Sequence, residues 1–198
     1  MLFGGNAPVA AMGGVSLPQG MALGGAFTLV DQTGRTVTER DYAGRWMLIY
    51  FGYSFCPDVC PTELGVMTTA IDQLGPVGEQ VVPVFITVDP QRDTPAHLAD
   101  YVSRFHPRLQ GLTGTPEQVA EAARRYRVYF SKVQRPDMTD YLMDHSSFVF
   151  LVGPDRGCAA CSGRKPRPKR WRRRSRHNSA ATRGGVEQPR HARVINIC

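Results

Sequence analysis

Two cysteines, Cys56 and Cys60, lie between a predicted strand and a predicted helix, and this junction constrains the fold more than any other feature. The preceding run, Trp46–Phe51, consists of large apolar residues, which is typical of a strand buried on both faces. The following segment, Pro61–Leu74, carries apolar residues at helical spacing. Because Pro61 suits the first helical position, Cys60 is predicted at the N-cap and Cys56 in the loop before it.

The position of the two cysteines predicts a reactive pair. Exposed N–H groups and the positive end of the helix dipole favour thiolate over thiol at both sulfurs, and Glu63 is predicted to complete a capping box. The short turn brings the two Cβ atoms to the roughly 3.5–4.5 Å of a disulfide. It also lets both sulfurs bind one metal ion, at about 2.3 Å if that ion is zinc. Since a disulfide leaves no thiolate to donate, redox activity and metal binding both remain open.

The rest of the periodic part alternates strands with helices, which indicates a layered α/β domain with a central sheet flanked by helices. An N-terminal β-hairpin is predicted first, followed by further strands and two helices that begin after the N-caps Thr94 and Thr115. The predicted strands are Ala26–Val30, Arg35–Thr38, Trp46–Phe51, Val81–Val88, Leu109–Leu112, Val128–Val133 and Ser147–Val152. The predicted helices after the first are Pro95–Phe105 and Pro116 to about Arg127. Pro83 predicts that the start of its strand is near an edge or unpaired, and residues 134–144 are predicted as a polar connection.

Charge divides the chain unevenly. Residues 158–198 hold twelve of the 24 Lys and Arg residues and one of the 17 Asp and Glu residues, a balance of +11. Residues 1–157 hold the other twelve and sixteen, a balance of −4, which argues against a nucleic-acid surface on the domain.

Three regions are therefore predicted. Residues 1–23 are a flexible leader, such as a start downstream of a true membrane anchor would leave. Residues 24–157 are the domain, and residues 158–198 are a disordered basic tail, interpreted as the product of a lost reading frame near Gly157. Within that tail, Cys158 and Cys161 are not predicted to form a site, because no strand precedes them and no helix follows.

His145 is the third candidate site residue. It immediately precedes the strand Ser147–Val152, and if that strand runs antiparallel to Trp46–Phe51, its start lies beside the cysteine loop. A lone histidine at a strand entry is otherwise a surface or capping residue. Two thiolates and an imidazole make a soft set of ligands that suits Cu(I), with Zn(II) open if a fourth ligand is present. The histidines His97 and His106 are predicted to be surface residues.

Three acidic residues are candidates for a supporting role around these ligands. Asp58, between the cysteines, is predicted either to tune the thiols or to be a turn residue. Asp144 is predicted to orient the imidazole of His145 as a hydrogen-bond acceptor. Asp89 opens the loop Asp89–Pro95, which follows a strand end and either borders the same site or serves only as a turn and cap.

Several stretches of the chain, between about Gly24 and Gly157, resemble the Sco/SenC family of copper-handling proteins. The joint occurrence of the C-P-x-x-C-P element, the V-D-P-x-R-D-T-P loop and the D-H-S triplet is highly specific. The matching stretches are Trp46–Pro61, Val84–Pro95, Phe105–Gly114, Tyr126–Val133 and Asp144–Ser146.

The resemblance implies a thioredoxin-like fold with a mixed sheet, and copper, as Cu(I) or Cu(II), bound through Cys56, Cys60 and His145. It implies delivery of copper to, or thiol reduction at, the dinuclear copper centre of cytochrome c oxidase during assembly. The implied partners are the copper-bearing subunit of the oxidase and other copper chaperones or thiol reductants. The implied location is membrane-proximal, on the periplasmic side of the bacterial inner membrane or in the mitochondrial intermembrane space.

Two departures from the family pattern are expected to matter. The N-terminal anchor is not present in this chain, and the last strand and C-terminal helix of the family are missing, replaced by the basic tail. Loss of elements that cover the sheet would expose apolar surface, so we expect reduced stability. The main alternative function is a metal-independent thiol–disulfide oxidoreductase, which leaves enzymatic activity beside the chaperone role an open question.

Overall fold

The computed structural model describes residues 23–136 and 139–154, and the backbone of residues 158–163. Nine strands, three α-helices and two short 3-10 helices lie within these residues. The strands are β1 (Thr28–Asp31), β2 (Thr36–Thr38), β3 (Trp46–Gly52), β4 (Val81–Thr87), β5 (Gln110–Thr113), β6 (Phe130–Val133), β7 (Leu142–His145), β8 (Phe148–Val152) and β9 (Cys158–Gly163). The α-helices are α1 (Val59–Gln73), α2 (Pro95–Ser103) and α3 (Pro116–Arg125), and the 3-10 helices are Glu39–Tyr42 and Gly75–Gln80.

Seven strands form one mixed sheet in the order β2-β1-β5-β4-β3-β8-β9, whereas β6 and β7 pair with each other as a separate two-stranded sheet. The central strands β3, β4 and β5 are parallel, and the outer pairs are antiparallel. Helix α1 contacts β3 and β4, α2 contacts β5, and α3 contacts β1. The predicted α/β class, with a mixed central sheet flanked by helices, is confirmed.

The predicted N-terminal hairpin is also present, as β1 and β2. The carboxylate of Asp31 accepts hydrogen bonds from the backbone N–H groups of Thr33 and Arg35 and from the Thr33 hydroxyl. Gly34 adopts φ +87°, the left-handed conformation that glycine tolerates best. Together these features close the turn between the two strands.

The core lies around β3 and β4, as expected for strands covered on both faces. Every residue of β4 is buried, and only Trp46 of β3 is partly exposed. Pro83 lies in the middle of the sheet, opposite Leu48 of β3, so the first predicted alternative, an edge position, is wrong. The second alternative is confirmed on the side of β5, because β4 pairs with β5 only from Val84 onward and Pro83 has no partner there.

Helix α1 starts two residues earlier than predicted. Asp58 is the N-cap and makes no side-chain capping bond within the described residues, so the predicted capping box is wrong. Cys60 is consequently the second helical residue and Pro61 the third. This is permitted because the first four N–H groups of a helix have no partner within the helix, so a proline there removes no hydrogen bond. The predicted N-caps Thr94 and Thr115 are confirmed.

Two strands were missed. The predicted polar connection at 134–144 contains most of β7, and the predicted tail contains β9, which pairs with β8. The prediction that regular structure ends at Gly157 is therefore wrong for residues 158–163. The leader predicted at residues 1–23 and the rest of the predicted tail lie almost wholly outside the described residues. Among the helices that the structure describes, none has the length and apolar character needed to cross a membrane.

Candidate metal centre

The two cysteines are held by the turn that joins β3 to α1. Cys60 is fully buried, and Cys56 is half-buried in the loop above it. The backbone N–H of Cys56 donates to the carbonyl oxygen of Tyr53 at 3.2 Å and closes the turn. The backbone N–H of Cys60 donates to Sγ of Cys56 at 3.4 Å. The first turn of α1 thus directs a free N–H at a sulfur, as the sequence predicts.

His145 reaches the cysteines from the end of β7. Strand β8 runs antiparallel to β3, with Tyr50 opposite Val149, so the start of β8 lies beside the end of β3 that carries the cysteines. This confirms the expected strand direction. Nε2 of His145 lies 3.5 Å from Sγ of Cys60. Nδ1 lies 3.1 Å from the carbonyl oxygen of Ser146, to which it can only donate, and this contact leaves Nε2 facing the sulfurs.

Two tyrosines surround the imidazole. Tyr53 and Tyr50 contact the ring of His145 edge-on, with centroid distances of 5.8 and 6.2 Å. The hydroxyl of Tyr50 is 3.8 Å from Sγ of Cys60 and donates to it. This hydroxyl therefore stabilises negative charge on the sulfur of Cys60.

The two sulfurs differ in their protonation. The hydrogen bond from the Cys60 thiol, followed by bonds from His145 and from the backbone N–H groups of Cys60 and Asp58, lowers the pKa of Cys56 to about 3 against the opposing effect of burial. The pKa of Cys60 is raised, because its proton is held by Cys56 and because the side chain is buried. The expectation that both sulfurs favour thiolate is therefore wrong for Cys60, since a second anion beside the Cys56 thiolate would be repelled by it.

Gly52, the last residue of β3, leaves the space in which Cys60 sits. A Cβ at this position would lie 2.9 Å from Sγ of Cys60 and 3.0 Å from the ring of Phe85. Sequence reasoning missed this residue, although a glycine that ends an otherwise bulky apolar strand is a signal of close approach.

The three predicted acidic residues occupy different places. The backbone N–H of Asp58, rather than its carboxylate, supports the Cys56 thiolate. Asp144 is exposed, and the partner of Nδ1 of His145 is the carbonyl of Ser146 instead. Asp89 is buried and accepts hydrogen bonds from the Tyr141 hydroxyl at 2.8 Å and from Nε of Arg92.

A second buried carboxylate, that of Asp93, anchors the cysteine loop and was not predicted. It accepts hydrogen bonds from the backbone N–H and the hydroxyl of Ser54 and from the hydroxyl of Thr87. Burial raises its pKa. The Ser54 hydroxyl also lies 2.8 Å from Nε2 of His97, whose ring stacks on Phe55 at 5.1 Å. His97 thus supports the cysteine loop, which corrects its prediction as a plain surface residue.

The prediction for His106 is wrong as well. Its side chain is only 9% exposed, with Nε2 3.1 Å from the carboxylate of Asp72. Nδ1 accepts the backbone N–H of Arg108 at 3.0 Å. Both ring nitrogens therefore serve local structure, well away from the cysteines in sequence.

The separation of Cys60 and His145 suits two ligands of one soft metal ion. Two atoms bound to one ion at about 2.0–2.3 Å lie within roughly 4.5 Å of each other, and the 3.5 Å between Sγ of Cys60 and Nε2 of His145 satisfies this. In the part of the chain that the structure describes, no three Cys, His, Asp or Glu side chains already converge as a complete metal cluster. A cleft of about 440 Å³ opens over the site and is lined by Tyr53, Cys56, Met143 and His145, among others.

Comparison with known proteins finds relatives that all point to one family. The SCO1/SenC family model matches residues 16–177. The mitochondrial SCO1 homolog 2 of Arabidopsis thaliana is 48% identical over 146 residues, which cover 73% of this chain and 52% of that protein. The human mitochondrial SCO1 homolog is 47% identical over 135 residues, which cover 67% and 45%. The chain thus spans about half the length of the curated relatives it matches.

Solved structures show the same fold. Copper-bound ScoI of Arabidopsis thaliana superposes with a TM-score of 0.68 at 46% identity, covering 72% of this chain and 88% of that one. Copper-bound yeast Sco1 gives a TM-score of 0.67 at 44% identity, covering 73% and 81%. These structures confirm the thioredoxin-like fold that the resemblance implied. From the family match, the identities and the shared fold, the chain belongs to the SCO1/SenC family.

Proposed function

We propose that this protein is a copper metallochaperone that delivers copper to, or reduces the thiols of, the dinuclear copper centre of cytochrome c oxidase during its assembly. Copper is its cargo, held by Cys56, Cys60 and His145. One observation carries the proposal: the imidazole of His145 meets the sulfur of Cys60 at 3.5 Å, and the backbone N–H of the same Cys60 donates to the sulfur of Cys56 at 3.4 Å. Thiolate and imidazole ligands in this number suit Cu(I) and also accommodate Cu(II).

The protonation pattern sets what binding requires. Cys56 is already ionised and coordinates without losing a proton, whereas the thiol of Cys60 releases one as copper binds. A site with three ligands leaves one approach open. An incoming thiolate or imidazole can enter through the cleft above half-buried Cys56 and take the ion by ligand exchange.

The proposed recipient is the copper-bearing subunit of cytochrome c oxidase, and other copper chaperones or thiol reductants are the proposed suppliers. The curated relatives named above are mitochondrial proteins. We propose that the activity lies in the mitochondrial intermembrane space, which these relatives support, or on the periplasmic side of a bacterial inner membrane, close to the membrane that holds the oxidase.

Copper titration of the reduced protein tests the proposal. Wild type is expected to bind one Cu(I) per chain in competition with a chromogenic chelator. Cys56→Ser and Cys60→Ser should abolish competitive binding, and His145→Ala should weaken it sharply. His106→Ala is the matched control, because that imidazole bonds Asp72 and Arg108 away from the sulfurs. Equal affinity in wild type and the His145→Ala variant would contradict the proposed ligand set.

A second candidate, metal-independent thiol–disulfide exchange, is favoured by the charge difference between the sulfurs. The Cys56 thiolate would attack a target disulfide and form a mixed disulfide, releasing one target thiolate. Cys60 would then lose its proton and attack Cys56, which releases the second target thiolate and leaves a Cys56–Cys60 disulfide. His145→Ala separates the two functions, because copper affinity should fall while disulfide exchange survives.

A further inference from the structure

The hairpin of β6 and β7, which carries His145, depends on the rest of the molecule for its position. Its strands pair only with each other within the described residues. A two-stranded hairpin is marginally stable by itself in water. At its base, the backbone N–H of Ser146 donates to the carbonyl of Tyr129 at 2.9 Å, and the Ser146 hydroxyl accepts the N–H of Tyr129 at 3.2 Å. These contacts close the hairpin on itself and leave its orientation over the cysteines to other residues.

Tyr141, directly before β7, ties the hairpin to the loop after β4. Its hydroxyl donates to Oδ1 of Asp89 at 2.8 Å. The other carboxylate oxygen of Asp89 accepts the Nε–H of Arg92, and Asp89 is only 3% exposed. The acceptor for Tyr141 is therefore buried and fixed from its other side.

The guanidinium of Arg92 joins the hairpin to the cysteine loop. Its Cζ lies 3.7 Å from the ring centroid of Tyr141, 4.6 Å from that of Phe55 and 5.8 Å from that of Tyr53. Its Nη2 is buried and has no hydrogen-bond partner among the described residues, so the aromatic rings supply its surroundings. Nζ of Lys132, on β6, lies 3.6 Å from the same Tyr141 ring.

Tyr53 connects this junction to the metal ligands. Its ring contacts the guanidinium of Arg92 and packs edge-on against the imidazole of His145 at 5.8 Å. Its carbonyl oxygen accepts the N–H of Cys56. The side chain of Tyr53 thus contacts both Arg92 and the proposed ligand His145. Its backbone carbonyl holds the loop that carries the proposed ligand Cys56.

We propose that Arg92 and Tyr141 are positioning residues for His145: they dock the β6–β7 hairpin on the cysteine loop and keep the imidazole within bonding range of an ion held by Cys56 and Cys60. This rests on the proposed function. Without the dock the hairpin moves away, and copper keeps only its two sulfur ligands. The dithiol chemistry of the cysteines, which needs no imidazole ligand, continues.

The test uses the substitutions Tyr141→Phe, which removes one hydroxyl, and Arg92→Lys, which keeps the charge and removes the planar group. Tyr129→Phe, at an exposed tyrosine directly before β6, and Arg104→Lys, at the exposed arginine that forms the C-cap of α2, are the matched controls. Both test variants should bind copper about 10–100-fold more weakly than wild type. The Cu(II) forms should lose the nitrogen splitting of the imidazole in electron paramagnetic resonance spectra, while both variants continue to react with glutathione disulfide.

A double substitution decides whether these residues act through His145. In a His145→Ala background, Tyr141→Phe should weaken copper binding no further. Additive weakening, retained nitrogen splitting, unchanged affinity or a parallel loss of disulfide reactivity would each overturn the proposal.

Hydrogen exchange separates this proposal from the proposed function. Backbone amides of β6 and β7 should exchange faster in both test variants than in the controls. If wild type binds no copper, the proposed function fails, and faster exchange still supports the dock, whereas unchanged exchange overturns it. If Arg92→Lys does not fold, Tyr141→Phe alone carries the test.

Discussion

Cys56 and Cys60 are four residues apart, yet their surroundings give them opposite protonation states. Cys56 receives hydrogen bonds from the Cys60 thiol, from His145 and from two backbone N–H groups, all of which stabilise its negative charge. Cys60 is buried beside that charge and keeps its proton. At neutral pH the pair therefore carries one negative charge, located on the sulfur that solvent and partners can reach.

The low pKa of Cys56 predicts an unusual pH dependence of alkylation. An ordinary cysteine, with a pKa of about 8.5, reacts roughly tenfold faster for each unit of pH up to that value. Because Cys56 is ionised above about pH 3, its alkylation rate should stay flat between pH 5 and pH 8. Rates of iodoacetamide labelling at each cysteine, followed by mass spectrometry, check this.

Substitutions can show which hydrogen bonds keep the Cys56 thiol deprotonated. Cys60→Ala removes the largest cause of the shift and should raise the pKa of Cys56 more than His145→Ala, which removes a smaller one. Cys60→Ser keeps a hydroxyl donor and is the control. A labelling rate in wild type that climbs steadily to pH 8 would contradict the assignment.

Gly52 gives a second prediction for a single residue. Gly52→Ala places a methyl group 2.9 Å from Sγ of Cys60 and 2.9 Å from the ring of Tyr50, both in the core. We expect a loss of about 1–3 kcal/mol in unfolding free energy and displacement of the sulfur. Urea denaturation and Cu(I) affinity should both show the change.

Gly65→Ala is the control for this substitution, because nothing lies within 4 Å of the added Cβ and the position is inside α1. It should stabilise the protein by roughly 0.5–1 kcal/mol through helix propensity. Similar effects of the two substitutions would show that Cys60 does not require the space beside Gly52.

Among the elements, α3 ends in an unusual way. The N–H of Val128 donates to the carbonyl of Ala123 and that of Arg127 to Arg124, which is the Schellman arrangement. Arg127 occupies its left-handed position with φ 53°. A residue with a Cβ is strained there, so the helix end is stabilised by hydrogen bonds at the cost of backbone strain.

Arg127→Gly should therefore raise the unfolding free energy by about 0.5–1 kcal/mol, because glycine adopts positive φ without strain. At the size of this chain that corresponds to an increase of roughly 1–4 °C in Tm. Arg124→Gly, inside α3, should instead cost about 1 kcal/mol. Thermal unfolding followed by circular dichroism distinguishes the two variants. A lower Tm for Arg127→Gly than for wild type would contradict the claim that the backbone is strained at Arg127.

What could be predicted at this scale depended on local chemistry. The buried strands, the N-caps Thr94 and Thr115 and the hairpin turn were predictable because their determinants are adjacent in sequence. Strand β7 was not, because its residues form a strand through pairing with β6 rather than through an apolar pattern. The first residue of α1 was misplaced because Pro61 is accepted anywhere in the first turn.

The candidate site was predictable to the same degree. Cys56, Cys60 and His145 were singled out by their residue type and by their places at the ends of elements. Asp93, His97 and Arg92 contact the cysteine loop from residues about 40 positions further along the chain. Stacking and burial of that kind are tertiary properties, and no local pattern indicates them.

For the whole molecule, strand β9 determines how the sheet ends. Its backbone pairs with β8 from Phe148 opposite Gly163 to Val152 opposite Cys158. Without it, β8 becomes an edge strand with unpaired N–H and C=O groups.

A chain shortened after Gly157 should therefore be less stable than one shortened after Gly163. The loss of several ladder hydrogen bonds predicts a difference of about 2–4 kcal/mol in unfolding free energy. The exposed edge should also promote association, visible as a larger mass in light scattering. Equal Tm values and equal masses for the two chains would show that β9 contributes nothing to the sheet.

The site joins residues from distant parts of the chain, since Cys60 and His145 are 85 residues apart. A ribosome adds residues at about 5–20 per second, so the sulfurs are made roughly 4–17 seconds before the imidazole. Throughout that interval the nascent chain carries the two thiols without the imidazole. The thiols can then be oxidised, and the proposed ligand set is incomplete. On the ligand set proposed above, the complete copper site can therefore form only after synthesis has passed His145.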